Sequence, residues 1–140
     1  MIRVVLDTNV VVSAMLRSGG LPEAVFNLAM GGETQCCISE PIVAEYEDVL
    51  RRPRLAIDPG KVAVAMARIR AVSSMVQPAV RVTAARDPDD NVFLECAEAA
   101  QAHYLVTGNG RHFPERWKET LIVAPRQFMD AYALVSDELS

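Results

Sequence analysis

A few short segments constrain this chain more than anything else in it. Ile2–Leu6 is brief, largely apolar and rich in β-branched residues, and "HYLVT" at 103–107, "TLIVAP" at 120–125 and "TQCCI" at 34–38 read as strands too. Successive side chains of a strand point to opposite faces, so a strand apolar throughout has to be covered on both sides. The material for that cover lies between the strands. A helix is expected from about 10 to 16, and another over about 22–30, opened by Pro22 and closed by Gly31 and Gly32. A third spans about 40–52, with Ser39 as N-cap and Pro53 as its stop. Further helices are expected over 60–72, from Asp87–Pro88 to about 102, and after Pro125. Val80–Val82 is a weak strand or a connector. Buried strands alternating with helices give an α/β fold with a central, mostly parallel sheet.

In such a sheet, ligands bind just beyond the carboxyl ends of the strands. Asp7 stands there after the first strand, and Asn109 stands there after the strand ending at Thr107. Asp7 also suits the N-cap of the next helix. On the helix over 40–52, Ile42, Val43, Tyr46, Val49 and Leu50 repeat at helical spacing and mark one face. Glu45 and Glu47 lie on the two flanks of that stripe, and periodicity does not choose between them. "RDPDDN" at 86–91 holds Asp87, Asp89 and Asp90. Asp87 at an N-cap, Pro88 after it and acids in the first turn are an ordinary way to begin a helix. A functional reading needs a cation as well, because several carboxylates gathered beside Asp7 repel one another. Hard oxygen donors of this kind suit Mg²⁺ or Mn²⁺, and such a site suits attack of water on a phosphodiester. Arg86, Arg111 and His112 flank the acidic motifs and are candidate phosphate contacts. "RRPR" at 51–54 reads as a helix end and a turn, and His103 as structural.

The totals bound the remaining possibilities. The 140 residues fit one domain, 1–140, with its own core. A net charge of −4 argues against a strongly basic nucleic-acid binder. It agrees with a protein that meets phosphate through metal-loaded carboxylates. The three cysteines form no C-x-x-C, so neither a zinc site nor a disulfide framework is expected, and they read as buried thiols of a cytoplasmic protein. No apolar run approaches the ~20 residues of a membrane helix, and no secretory signal is visible after Met1.

Four segments together, "VVLDTNVVVSAML" at the N-terminus, "SEPIVAEYEDVL" at 39–50, "RDPDDNVFLECAEAAQAHYLVTGN" at 86–109 and the closing "LIVAPRQFM", resemble the PIN-domain family in order and spacing. The likeness runs nearly the whole chain and is nearest to small prokaryotic PIN proteins similar to VapC-type toxin ribonucleases. It implies a three-layer α/β/α fold and a ribonuclease dependent on Mg²⁺ or Mn²⁺. Motif by motif, it implies Asp7, Glu45 and Asp90 as the catalytic, metal-holding acids, with Glu45 preferred over Glu47. Asp87 is implied as an accessory acid, and Thr8, Asn9, Ser39 and Thr107 as supporting polar residues. The position of Asn109 is often aspartate in the family. An amide can offer a metal its oxygen but brings no charge. The resemblance also implies RNA as substrate, a small cognate antitoxin as partner, and a homodimer. Two alternatives stand beside it. One is a PIN-like RNA-binding or scaffold module without catalysis. The other is a haloacid-dehalogenase-type phosphatase with Asp7 as nucleophile, although that chemistry wants an aspartate where Asn9 stands.

Overall fold

A computed structural model describes residues 1–139. Its centre is a six-stranded sheet in the order β3-β2-β1-β4-β6-β5. The strands are β1 (Arg3–Leu6), β2 (Gln35–Ile38), β3 (Ser74–Met75), β4 (Tyr104–Val106), β5 (Arg116–Trp117) and β6 (Thr120–Val123). All neighbours run parallel except β5 and β6, which form an antiparallel hairpin at one edge. Among the described residues, six helices connect and cover the strands: α1 (Thr8–Leu16), α2 (Leu21–Met30), α3 (Glu40–Leu50), α4 (Pro59–Val72), α5 (Asn91–Ala100) and α6 (Pro125–Leu139).

Burial of the central strand demonstrates the layering. Val4, Val5 and Leu6 are consecutive, so they face alternate sides of the sheet, yet none is more than 1 % exposed. Both faces are therefore covered, as a parallel sheet requires. On α3, Ile42, Val43, Tyr46 and Leu50 are buried, as the helical spacing predicts, while Val49 is only partly covered. Cys36, Cys37 and Cys96 are free, buried thiols. Burial pushes the Cys36 thiol up to about 12.

The expected elements differ from the observed ones in four places. Residues 80–82, read as a weak strand or a connector, form the connector. The third parallel strand is Ser74–Met75, and both of its side chains are exposed, so no buried apolar run announced it. Val82 is instead buried within a connector, where its backbone N–H donates to the Glu95 carboxylate at 2.9 Å. The hairpin strand β5 was not expected, because two residues carry no periodicity. The helix over 40–52 ends at Leu50, and residues 53–55 form a separate 3₁₀ turn. The helix expected from Asp87 starts only at Asn91, since Pro88–Asp90 is another 3₁₀ turn.

An acidic pocket at the carboxyl ends of the strands

β1 and β4 pair in register through Leu6↔Val106, so the residues that follow them emerge side by side. The Asp7 backbone N–H donates to Val106 O at 2.9 Å, which extends the ladder one step beyond the strand. Asp7 is the N-cap residue of α1, yet its side chain makes no capping hydrogen bond. The carboxylate turns across the strand ends and accepts from the Thr107 hydroxyl at 2.7 Å. The Thr107 oxygen in turn accepts from the Asn109 backbone N–H at 2.9 Å. Beside this pair, the Asn9 side-chain oxygen accepts from the Gly108 N–H at 3.1 Å. Thr107 and Asn9 thus stitch the turn after β4 to the junction between β1 and α1.

The third wall is α3. Tyr46 is 1 % exposed, and its hydroxyl donates to the Leu6 carbonyl. Its neighbour Glu45 emerges next to Asp7, where the Thr8 hydroxyl donates to its carboxylate. Glu47 lies on the outer surface and pairs with Arg51 at 3.5 Å. Tertiary packing therefore separates the two glutamates that periodicity left equivalent.

The 3₁₀ turn 88–90 closes the ring. Asp87 caps this turn by accepting the Asp89 N–H at 3.0 Å, and the Asn91 side chain holds the Ala85 N–H at 2.8 Å. The Arg86 N–H donates to His112 O at 2.8 Å and ties this loop to the one after β4. His112 Nδ1 stands 3.7 Å from Asp90. Asp7, Glu45, Asp87, Asp89, Asp90 and Asn109 all border one open cavity of about 390 Å³.

The electrostatics are those of crowded acids. Burial raises the Asp7 carboxyl above its usual range, opposed by the hydrogen bonds from Thr107 and Thr8. Burial raises Glu45 as well, with Asp7 and Asp89 adding to the rise, against the Thr8 hydroxyl and the charge of Arg52. Asp90 is pushed up to about 6, first by burial and then by Asp7, Asp87 and Glu45. Three acids that resist ionisation beside one another form a site that a cation would relieve. The donor set is hard oxygen, which fits Mg²⁺ or Mn²⁺. Among the described residues, no three His, Cys, Asp or Glu side chains stand close enough to ligate one ion directly. Mg²⁺ commonly keeps several waters and takes only one or two carboxylates, so the spacing fits a hydrated ion.

Asp7, Glu45, Asp87, Asp90, Asn109, Thr8, Asn9 and His112 thus share the pocket, and Thr107 holds it from beneath. Ser39 does not reach it. Ser39 is 1 % exposed at the start of α3, and its hydroxyl has no hydrogen-bond partner among the described residues. Arg86 and Arg111 do not border the pocket either. Sequence reasoning passed over Asp89, Arg52 and Arg54, which do. Asp89 was visible as an acid of "RDPDDN". Nothing local shows that the turn bearing Arg54 folds back over the pocket.

Comparison with known proteins agrees with this architecture. The PIN-domain profile matches residues 3–111. An uncharacterized protein of Methanocaldococcus jannaschii, MJ1680, is 28 % identical over 111 residues, which cover 77 % of this chain and 71 % of that protein. Among solved structures, VapBC2 of Rickettsia felis, bound to a DNA fragment from its promoter, aligns with a TM-score of 0.57. The alignment has 15 % identity over 88 % of this chain and 98 % of the other, so the likeness is one of fold. The profile takes in every residue that borders the acidic pocket except His112, and the chain belongs to the PIN-domain family.

Proposed function

We propose that the protein is a metal-dependent ribonuclease that hydrolyses RNA phosphodiester bonds, and that it serves as the toxin of a toxin–antitoxin pair. The observation that carries the nuclease reading is the convergence of Asp7, Glu45, Asp87, Asp89 and Asp90 on one open pocket at the carboxyl ends of the sheet. The toxin reading rests on the fold shared with a VapBC2 structure and on the family. It brings with it a small antitoxin protein as partner, a homodimer, a cytoplasmic location and a single domain over 1–140.

Asp7, Glu45 and Asp90 would hold Mg²⁺ or Mn²⁺, at least one of them through water, with Asp87 and the Asn109 amide completing the polar surround. A divalent ion there supplies a lowered pKa for water and positive charge beside the scissile phosphate. The chain's own groups set the geometry. The Thr107 hydroxyl fixes one oxygen of Asp7, whose side chain borders the pocket. The Thr8 hydroxyl does the same for Glu45. Tyr46 binds the α3 turn that carries Glu45 to the Leu6 carbonyl that precedes Asp7, which ties the backbones bearing the two acids together. His112, beside Asp90, is placed to donate to a phosphate oxygen.

The second reading, an RNA-binding module without catalysis, is favoured by the neutral Asn109 at the pocket. One experiment separates the two. Wild type and Asp90→Asn are incubated with structured and single-stranded RNAs in Mn²⁺, Mg²⁺ and EDTA. Cleavage that needs metal and is absent from the variant supports the nuclease. RNA binding without cleavage, unchanged by Asp90→Asn, supports the binding module.

A further inference from the structure

A nuclease pocket lined by five carboxylates faces a polyanion, and the net charge of the chain is −4. Something local has to attract the substrate backbone. After α3 the chain turns through Pro53–Leu55, and this turn brings Arg52 and Arg54 to the wall of the pocket. The turn is firmly built. The Leu55 N–H donates to Arg52 O and the Ala56 N–H to Pro53 O, both at 3.0 Å. It closes on Ala56 at φ 52°, ψ 33°, a left-handed conformation that costs a residue with a Cβ about 1 kcal/mol. Strain of this kind persists where the surrounding structure demands that placement. Arg51, at the C-cap of α3, already meets the helix dipole and pairs with Glu47. The outer side of Arg52 pairs with Asp48 at 3.3 Å. Arg54 joins no ion pair among the described residues. Val49 and Leu55 of the same wall add an apolar surface beside these guanidinium groups.

Resting on the nuclease reading for what occupies the pocket, we propose that Arg54, with Arg52 beside it, is a phosphate subsite that grips single-stranded RNA at a backbone phosphate neighbouring the one cut. The guanidinium fork matches two phosphate oxygens. Val49 and Leu55 then meet the ribose or base of the intervening nucleotide. A strand whose bases are unpaired can enter such a pocket, and a duplex holds its bases away from it.

The test is a substrate scan by fluorescence anisotropy in Mg²⁺. A labelled single-stranded RNA carries one neutral methylphosphonate, moved position by position, and is bound to Asp90→Asn protein. The expected result is one position at which the neutral linkage weakens binding about tenfold. With Arg54→Ala added, affinity falls by a similar factor, that position loses its effect, and the slope of log Kd against log salt becomes shallower by about 0.7. Arg54→Lys restores part of the affinity. An unchanged scan after Arg54→Ala overturns the subsite. Equal binding of duplex RNA with the same scan overturns the single-strand assignment. The nuclease reading is judged separately, by whether wild-type protein cleaves the unmodified RNA, and binding decides the subsite in either case.

Discussion

Replacing Asp90 by asparagine should stabilise the protein when no metal is present. Asp90 is held near 6, against an ordinary aspartate value of 3.8. Ionising it in the folded state is therefore unfavourable, because of burial and because Asp7, Asp87 and Glu45 surround it. The full difference corresponds to about 3 kcal/mol, and water at the open mouth of the pocket screens it to about 1 kcal/mol. The sign follows from proton linkage. Between about pH 4 and pH 6 the folded state binds more protons than the unfolded state, so stability falls as pH rises through that window and is flat above it. Asp7 and Glu45 are raised as well and steepen the same slope. The amide of Asp90→Asn keeps the shape and removes the charge. In EDTA at pH 7.5 its Tm should exceed that of wild type by about 4 °C, a shift matched to about 1 kcal/mol in a domain of this size. Its stability should also depend less on pH between 4 and 6. Mg²⁺ should then raise the Tm of wild type more than that of the variant, because only wild type offers the full carboxylate set. Thermal melts by circular dichroism across pH, with and without Mg²⁺, measure all three. A variant that melts at or below wild type in EDTA, with an unchanged pH slope, refutes the argument that these carboxylates crowd one another.

Two more outcomes follow from the same geometry. Tyr46→Phe removes a hydroxyl and leaves the buried Leu6 carbonyl without its side-chain donor, so urea unfolding should show a loss of about 1–2 kcal/mol with an unchanged m-value. The thiols of Cys36, Cys37 and Cys96 are buried, and burial raises the pKa of each, so a thiol reagent at pH 8 should label them only in denaturant, and rapid labelling of the native protein would contradict the packing.

The acidic motifs were legible because their chemistry is local. Asp7 after an apolar strand and "RDPDDN" at a helix start can be read from a few residues each. A parallel sheet then implies that strand ends share an edge. Other features depended on distant segments meeting. Thr107 was read as the end of a strand and, by resemblance, as a supporting polar residue, but its hydroxyl reaches Asp7 only because β1 and β4 pair in register, a hundred residues apart in the chain. Periodicity left Glu45 and Glu47 equivalent and only the family resemblance preferred Glu45; the physical basis of that preference is the rotation of α3, which brings Tyr46 to Leu6 O. Arg86 and Arg111 were reasonable phosphate contacts by adjacency to the acids. Adjacency in sequence does not fix direction, and the pocket receives Arg52 and Arg54 from a turn far from those motifs. β3 was illegible for a related reason, since two exposed residues become a strand only by hydrogen bonding along β2.

By itself, the sequence determined that strands buried on both faces would stack into a covered parallel sheet and that carboxylates would stand at its carboxyl edge. Hydrophobic period and strand-end position are properties of single segments, so no partner was needed to read them. Only the tertiary structure decided which acids face one another, which hydroxyls hold them and which arginines border them. Those are relations between segments brought together by register and helix rotation, and a shift of one residue in either would send the same side chains elsewhere.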